Sequence, residues 1–311
     1  MIEAWTNPGR IDAHRLLRLE ATLALLPATA APQAELPSRT VEDVFHRGLV
    51  PNVLNAPSNE INTRLDALVN RLPLFGPGRR ESLERLGAFA EAANRRRSVH
   101  DPFLGMTLQG ARDFLTTDLG AYLLQPLPFE DRARRNDQYE VLYVRDSGLH
   151  RRLIELSVTI PLDLPEKAAR NGVSVEELRR QRLTPFVGPR WESFVVVSIL
   201  DLVGERCHAF AYRHEERDEI DLILEWLDRT PPERWAIEVA GRKFGHHPSS
   251  HFAESCEFLG VVERSRFLVF RDDSCSGDAR GRGGVPALTL PRMFEHLKTR
   301  LRQSAVAPLR H

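Results

Sequence analysis

Lysine is scarce in this chain of 311 residues. Lys167, Lys243 and Lys298 are its lysines, and the rest of its 43 basic residues are arginine. The scarcity tests several motifs at once. A P-loop needs Gly-x-x-x-x-Gly-Lys-Ser/Thr, because glycine amides cradle the phosphates while the lysine reaches the terminal ones. Lys167 and Lys243 precede Ala168 and Phe244, and Lys298 follows Leu297 inside a helical pattern. The Gly-rich stretch FGPGRRES has no lysine, and its Pro77 removes an amide. No nucleotide-binding site of this kind is expected, so ATP is not a predicted cofactor. No Gly-x-Gly-x-x-Gly follows a predicted strand, which removes a Rossmann cofactor site. A Gly-x-Ser-x-Gly nucleophile elbow is absent too. Cys207, Cys256 and Cys275 share no Cys-x-x-Cys spacing and cannot all pair, so a disulfide scaffold is excluded. No apolar run approaches the roughly 20 residues that cross a bilayer, and MIEAWTNPGRIDAHR has no signal-peptide profile. A cytoplasmic protein with no membrane partner is expected. Charge of one sign is also missing: 43 basic residues meet 43 acidic ones. That excludes a globally basic, histone-like binder and leaves only local arginine faces.

What is present is ordinary globular composition, 42% hydrophobic and 28% charged. The length predicts two or three domains. Residues 1–78 are Ala/Leu/Pro-rich and read as a mostly helical segment. AHRLLRLEATLALL fits a helix or a strand–turn–helix, PATAAPQAELP reads as a loop, and 40–49 and 60–72 read as short helices. The second of these sets Ile61, Leu65, Leu68 and Leu72 on one face.

Residues 79–156 carry a sharper pattern. RESLERLGAFAEAANRRR spaces Leu83, Leu86, Ala90 and Ala93 helically, with arginines at the C-terminal end where the dipole favours them. TLQGARDFLTTDLG follows a loop and leaves Gln109, Arg112, Asp113 and Thr116 on its outward face. AYLLQPL and QYEVLYVRD are strand candidates flanking the basic loop FEDRARRND. Helix, turn, helix and two-stranded ribbon is a winged-helix order. It makes Gln109 and Arg112 candidate DNA contacts on the recognition helix, and Arg132, Arg134 and Arg135 candidate contacts on the wing. The competing reading is a packing or dimerisation module, since fold alone does not fix function.

Residues 157–184 read as a connector, in which Ser174-Val-Glu-Glu177 is a capping-box pattern opening a short helix. Residues 185–311 alternate helix and strand. WESFVVVSILDLV is apolar almost all round, so it should be a buried helix. HAFAYR, EIDLILEW and WAIEVA are strand candidates. PSSHFAESCEFLG is helical, RFLVF is a strand, and PALTLPRMFEHLKTRL is a strand running into a helix with Pro291 at its start. The predicted fold class is α/β: a helical N-terminal segment, a winged helix and an α/β domain of common size.

The α/β domain holds an acidic constellation. Period-two alternation puts Glu238 with Ala236 and Ala240 on one face of its strand. Asp221 shares a face with Glu219, Ile223 and Glu225. If the two strands pair, Asp221 and Glu238 sit side by side, and Glu192, one turn into the buried helix, can point at the same spot. Converging carboxylates are what a hard divalent cation such as Mg²⁺ or Mn²⁺ requires, and they are the layout of metal-dependent phosphodiester hydrolysis. The order Glu192, Asp221, Glu238 resembles the restriction-endonuclease-like PD-(D/E)XK superfamily, with Asp221 and Glu238 as the implied metal ligands. Ala240 stands where that pattern has its catalytic lysine. Lys243 is the nearest lysine, and Arg242 is a poor substitute for a point-charge ammonium. The alternative is that these carboxylates pair with arginines of the sheet and bind no metal.

A more particular resemblance spans most of the chain. YVRDSGLHRRLIEL, FVGPRWESFVV, AYRHEERDEIDLILEW and WAIEVAGRK resemble the C-terminal half of a prokaryotic AAA-type ATPase family. DVFHRGLVPNVL is similar to that family's Arg-Gly-Gly-x-Pro segment, with Leu49 for the second glycine, and GRIDAHRLLRLEATL to the strand closing its ATPase core. The resemblance implies a winged helix followed by a C-terminal domain of unknown function with a nuclease-like core. Walker A and Walker B are both missing, so either the gene has lost the ATPase module or the reading frame is truncated.

His246, His247, His251 and Cys256 lie close together, but only His247-x₃-His251 fits a zinc spacing, without a matching cysteine pair. SCSGDARGRGG reads as a loop. The leading expectation is an ATPase-family remnant without nucleotide binding, acting as a non-catalytic adaptor for DNA or protein. The alternatives are a metal-dependent nuclease with a degenerate site, in which Lys243 or Arg242 replaces the lysine, and a pure protein-interaction module. A small-molecule substrate is not expected.

Overall fold

The structure is a computed structural model that describes residues 41–48, 56–69, 124–131, 139–159, 164–214, 218–240, 250–271, 279–280 and 285–306. The recognition-helix candidates Gln109 and Arg112, the wing arginines Arg132, Arg134 and Arg135, and Lys243, His246 and His247 lie outside the described residues. The chain forms two compact units. One gathers the described residues of 42–125 and 142–194, the other those of 126–141 and 195–311.

The first unit is largely helical. It contains α1 (Val41–Arg47, from its second residue), α2 (Ile61–Val69), α3 (Ser147–Thr159), α4 (Leu164–Asn171) and α5 (Val175–Leu183). The two short helices expected near 40–49 and 60–72 are present, and Leu65 is fully buried. The capping box is partly realised: the Ser174 hydroxyl accepts from the Glu177 amide at 3.0 Å. That satisfies one of the orphan N–H groups of the first turn of α5. Helices α3 and α4 fill a stretch to which the sequence pattern assigned no element and the connector that follows it. Helix α3 starts because Asp146 caps it, its Oδ1 accepting from the Leu149 amide at 2.7 Å. In α4 the apolar signal is only Leu164 and Ala168, one helical turn apart, packing with Leu178.

Helix α6 (Val187–Val203) is the buried helix expected from its all-round apolar character. Trp191 and the run from Phe194 to Val197 are buried, and the division between the units falls inside this helix.

The second unit is a mixed sheet with helices. After α6 come β3 (Cys207–His214), β4 (Asp218–Trp226), β5 (Glu233–Ala240), α7 (Ser250–Phe258), β6 (Arg266–Phe270), the two-residue β7 (Ala279–Arg280), β8 (Pro286–Thr289) and α8 (Leu290–Val306). Apart from β7, this is the order anticipated from the sequence. Strands β3, β4 and β5 form an antiparallel meander. Strand β6 then pairs in parallel with β5, and β8 in parallel with β6. The ribbon candidates are β1 (Leu124–Asp131) and β2 (Tyr139–Val144). They are neighbours in the sheet, and β1 also pairs in parallel with β3, Phe129 opposite Ala211. The ribbon is therefore continuous with the α/β sheet and extends one of its edges. Helix α7 covers one sheet face, where Phe252 and Cys256 join Phe210, Ile223, Ala236 and Leu268 in a buried cluster. Among the described residues, no helix is long and apolar enough to cross a membrane.

Candidate functional site

Strands β4 and β5 position the acidic pair. Their antiparallel register ends with Leu222 opposite Ile237, and Asp221 and Glu238 are the next residues on the two strands. The alternation along β4 is not regular. Between the pairs Phe210–Ile223 and Tyr212–Ile220, β4 contains one residue more than β3. Ile220 and Ile223 consequently share a cluster under α7, although strict alternation would set them on opposite faces. Asp221 lies in this bulge, a device that re-aims side chains and ends strand pairing.

The re-aimed Asp221 is 2% exposed, and its Oδ2 accepts a hydrogen bond from the Val239 amide at 2.7 Å. The carboxylate thus satisfies a backbone donor just past the point where the β4–β5 ladder stops. Glu238 is half-buried and opposite Leu268 in the register of β6. Its charge reaches Cys256 on α7. Burial pushes that thiol up to about 12, Arg266 works against the rise, and the Glu238 and Glu257 carboxylates add to it. Ala240, in the lysine's position, is 5% exposed and lies in the same apolar cluster as Phe252 and Phe270.

Glu192 belongs to the other compact unit. There it accepts a hydrogen bond from the Tyr143 hydroxyl at 3.0 Å. Asp221 and Glu238 thus lie on paired strands, and Glu192 has a tyrosine as a partner. Among the described residues, no group of three or more His, Cys, Asp or Glu side chains is arranged to hold a metal ion. Cys207 and Cys256 are both buried free thiols raised to about 12, chiefly by burial, so neither offers a thiolate nucleophile.

The first unit contains a second polar assembly, which residue-type reasoning passed over as a site. The chain leaves α1 through Gly48 at φ +81°, its amide donating to the Val44 carbonyl at 2.8 Å. A Cβ on Gly48 would stand 2.1 Å from Asp146 Oδ1, and one on Gly148 would stand 2.1 Å from the Arg47 carbonyl oxygen. The Ser147 hydroxyl donates to the Val44 carbonyl at 3.1 Å. Arg47 donates to the Ala56 carbonyl at 2.8 Å, and Arg151 to the His46 carbonyl at 3.0 Å and to Asn62 at 2.8 Å. Arg152 makes a two-pronged pair with Asp66 at 2.6 and 2.7 Å. Arg190, stacked 4.1 Å over the Phe45 ring, donates to the Phe45 carbonyl at 3.2 Å. Arg-Gly at 47–48, Arg-Asp-Ser-Gly-Leu at 145–149 and the Pro-Arg-Trp start of α6 thus interlock α1, α2 and α3. The residues that carry the family resemblance are used here to join helices.

No protein-family model, curated protein or solved structure matches the chain.

Among the described residues, the surroundings of the acidic pair are a backbone amide and an apolar cluster. One carboxylate oxygen of Asp221 accepts from an amide, and Ala240 itself carries no charge. A methyl group within an apolar cluster stabilises no developing charge.

Proposed function

We propose that the chain is a non-catalytic adaptor: a restriction-endonuclease-like domain that does not cut, joined to a winged helix that binds DNA. Support for the nuclease-like ancestry comes from the order of α6, the meander β3–β4–β5, α7 and the parallel β6, with Asp221 and Glu238 on adjacent strands. The observation that carries the non-catalytic reading is the hydrogen bond from the Val239 amide to Asp221, beside a buried Ala240. The DNA reading is motivated by Gln109, Arg112, Arg132, Arg134 and Arg135, and phosphate neutralisation would make such binding salt-dependent. No nucleotide takes part in this reading.

The test incubates purified protein with labelled duplex and single-stranded DNA, with Mn²⁺, Mg²⁺ or chelator, and resolves products on a denaturing gel. Intact strands are expected in every lane, together with duplex binding that weakens with salt and is lost when Arg132, Arg134 and Arg135 are replaced. Metal-dependent cutting that disappears in Glu238→Ala overturns the non-catalytic reading and turns attention to Lys243. Duplex binding indifferent to the three arginine replacements overturns the wing assignment.

A further inference from the structure

The second unit contains a recess of about 720 Å³ that the acidic pair does not use. Trp235 and Phe267, near the starts of β5 and β6, form its base, and α8 forms one wall. Trp235 alternates with Glu238 along β5 and so faces away from the α7 side. Glu233 at the recess and Glu238 are five residues apart on one strand, about 16 Å at strand rise. The recess is therefore separate from the carboxylate site.

Its lining is rich in donors. Among the described lining residues, Arg229, Arg264, Arg292, Arg300 and His296 meet two carboxylates, Glu233 and Glu295. Arg300 is consumed structurally: it is 3% exposed, forks onto Asp228 at 2.7 and 2.8 Å, and reaches Glu233 at 3.0 Å. Arg229 and Arg292 are far more exposed than Arg300. Their pairs with Glu233 at 3.2 Å and Glu295 at 2.6 Å involve arginines 52% and 62% exposed. Such surface pairs are worth about 0–1 kcal/mol, and a guanidinium has several N–H donors, so each can engage an anion while keeping its present partner. Arg264 is exposed and has no hydrogen-bond or ion-pair partner among the described residues. His296 is exposed, its ring 5.7 Å from Phe267, and no described residue accepts or donates a hydrogen bond at its nitrogens. The volume is in the range of small-ligand clefts, and guanidinium forks match phosphate geometry better than any other side chain.

We propose that this recess is a phosphate-binding site, with Arg264, Arg292 and His296 as the groups that hold the phosphate oxygens. The bound phosphate belongs to a small phosphomonoester or to a nucleic-acid backbone. Because Trp235 and Phe267 are buried, neither offers an open ring face for stacking a base, and recognition runs through the phosphate. The site uses neither Asp221 and Glu238 nor the wing arginines, so it stands whether or not the adaptor reading does.

Calorimetric titration of the full chain with pyrophosphate, AMP and a short duplex tests it. Arg264→Glu is compared with Arg302→Glu, which makes the same charge change at an exposed position of α8 outside the recess. Saturable pyrophosphate or AMP binding is expected, weakened about tenfold or more by Arg264→Glu and less than about twofold by Arg302→Glu. Competition between duplex and pyrophosphate assigns the phosphate to a nucleic-acid backbone, and AMP binding without such competition assigns it to a small phosphomonoester. Failure of all three ligands to bind overturns the proposal, as does equal weakening by the two substitutions. Thermal melts of both variants at the wild-type temperature confirm that binding, and not folding, is being read.

Discussion

The two ends of the β4–β5 pair use carboxylates in opposite ways. At the turn, Asp228 and Glu233 meet Arg300, which also stacks 4.5 Å over Trp226, and Glu225 meets Arg234 at 2.7 Å. The Arg300 hydrogen bonds hold the Asp228 carboxyl well below the usual carboxylate range, against the opposing effect of burial. At the other end, Asp221 meets a backbone amide and Glu238 looks toward a thiol in an apolar cluster. The same residue types are ion-pair partners at the turn end of the two strands and a ladder-ending acceptor at the other. Neighbours, not residue type, determine what a carboxylate does.

Removing Arg300 should have the largest effect. Arg300→Met keeps most of the stem over Trp226 but leaves Asp228 and Glu233 without their shared cation. A loss of about 3 kcal/mol is expected, read as a lower denaturant midpoint. The far end should respond to a smaller degree and in a graded way. Asp221→Ala strands the Val239 amide and should lower stability by about 1–3 kcal/mol, whereas Asp221→Asn keeps an acceptor and should recover most of it. Equal losses from Ala and Asn would show that the negative charge itself matters there.

The first unit offers a third environment for a titratable group. His150 is 1% exposed, and neither of its ring nitrogens has a hydrogen-bond partner among the described residues. Burial, helped by the nearby Arg190 charge, lowers its pKa to about 3. The unfolded chain therefore binds a proton that the folded chain refuses between roughly pH 6.5 and pH 3. Its contribution to stability is intact above pH 6.5 and falls on acidification, by up to about 1.4 kcal/mol per pH unit. His150→Phe should flatten this dependence without lowering stability at pH 8, as denaturant titrations across the range would show. The smallest effect belongs to the capped helix α5. Ser174→Ala should lose about 1 kcal/mol, visible as a modest drop in melting temperature.

Much of the α/β domain was legible in the sequence because its signals are periodic. The all-apolar face of α6, the alternation in β3 to β5 and the Pro291 helix start each specify an element locally. The pairing of the two strands that carry Asp221 and Glu238 also followed from their pattern. What the sequence did not display were relations between distant backbones. The extra residue in β4 is invisible in EIDLILEW because every side chain there suits a strand. The Val239 amide that occupies Asp221 has no side-chain signature at all. Asp146 and Gly48 are separated by nearly a hundred positions, so their mutual fit could not be read from either motif alone. Helix α4 escaped notice because two buried positions make too short a stripe to register as a period.

The parallel pairing of β1 with β3 has a consequence for how the chain reaches its final form. Joining Phe129 to Ala211 closes a loop that encloses α3 to α6, and closure entropy makes so distant a contact slow to nucleate. The meander β3–β4–β5 closes through short connections and can assemble early. Strand β1 is then a late arrival on a preformed edge, and during synthesis it has only its neighbour β2 to pair with until the ribosome delivers β3.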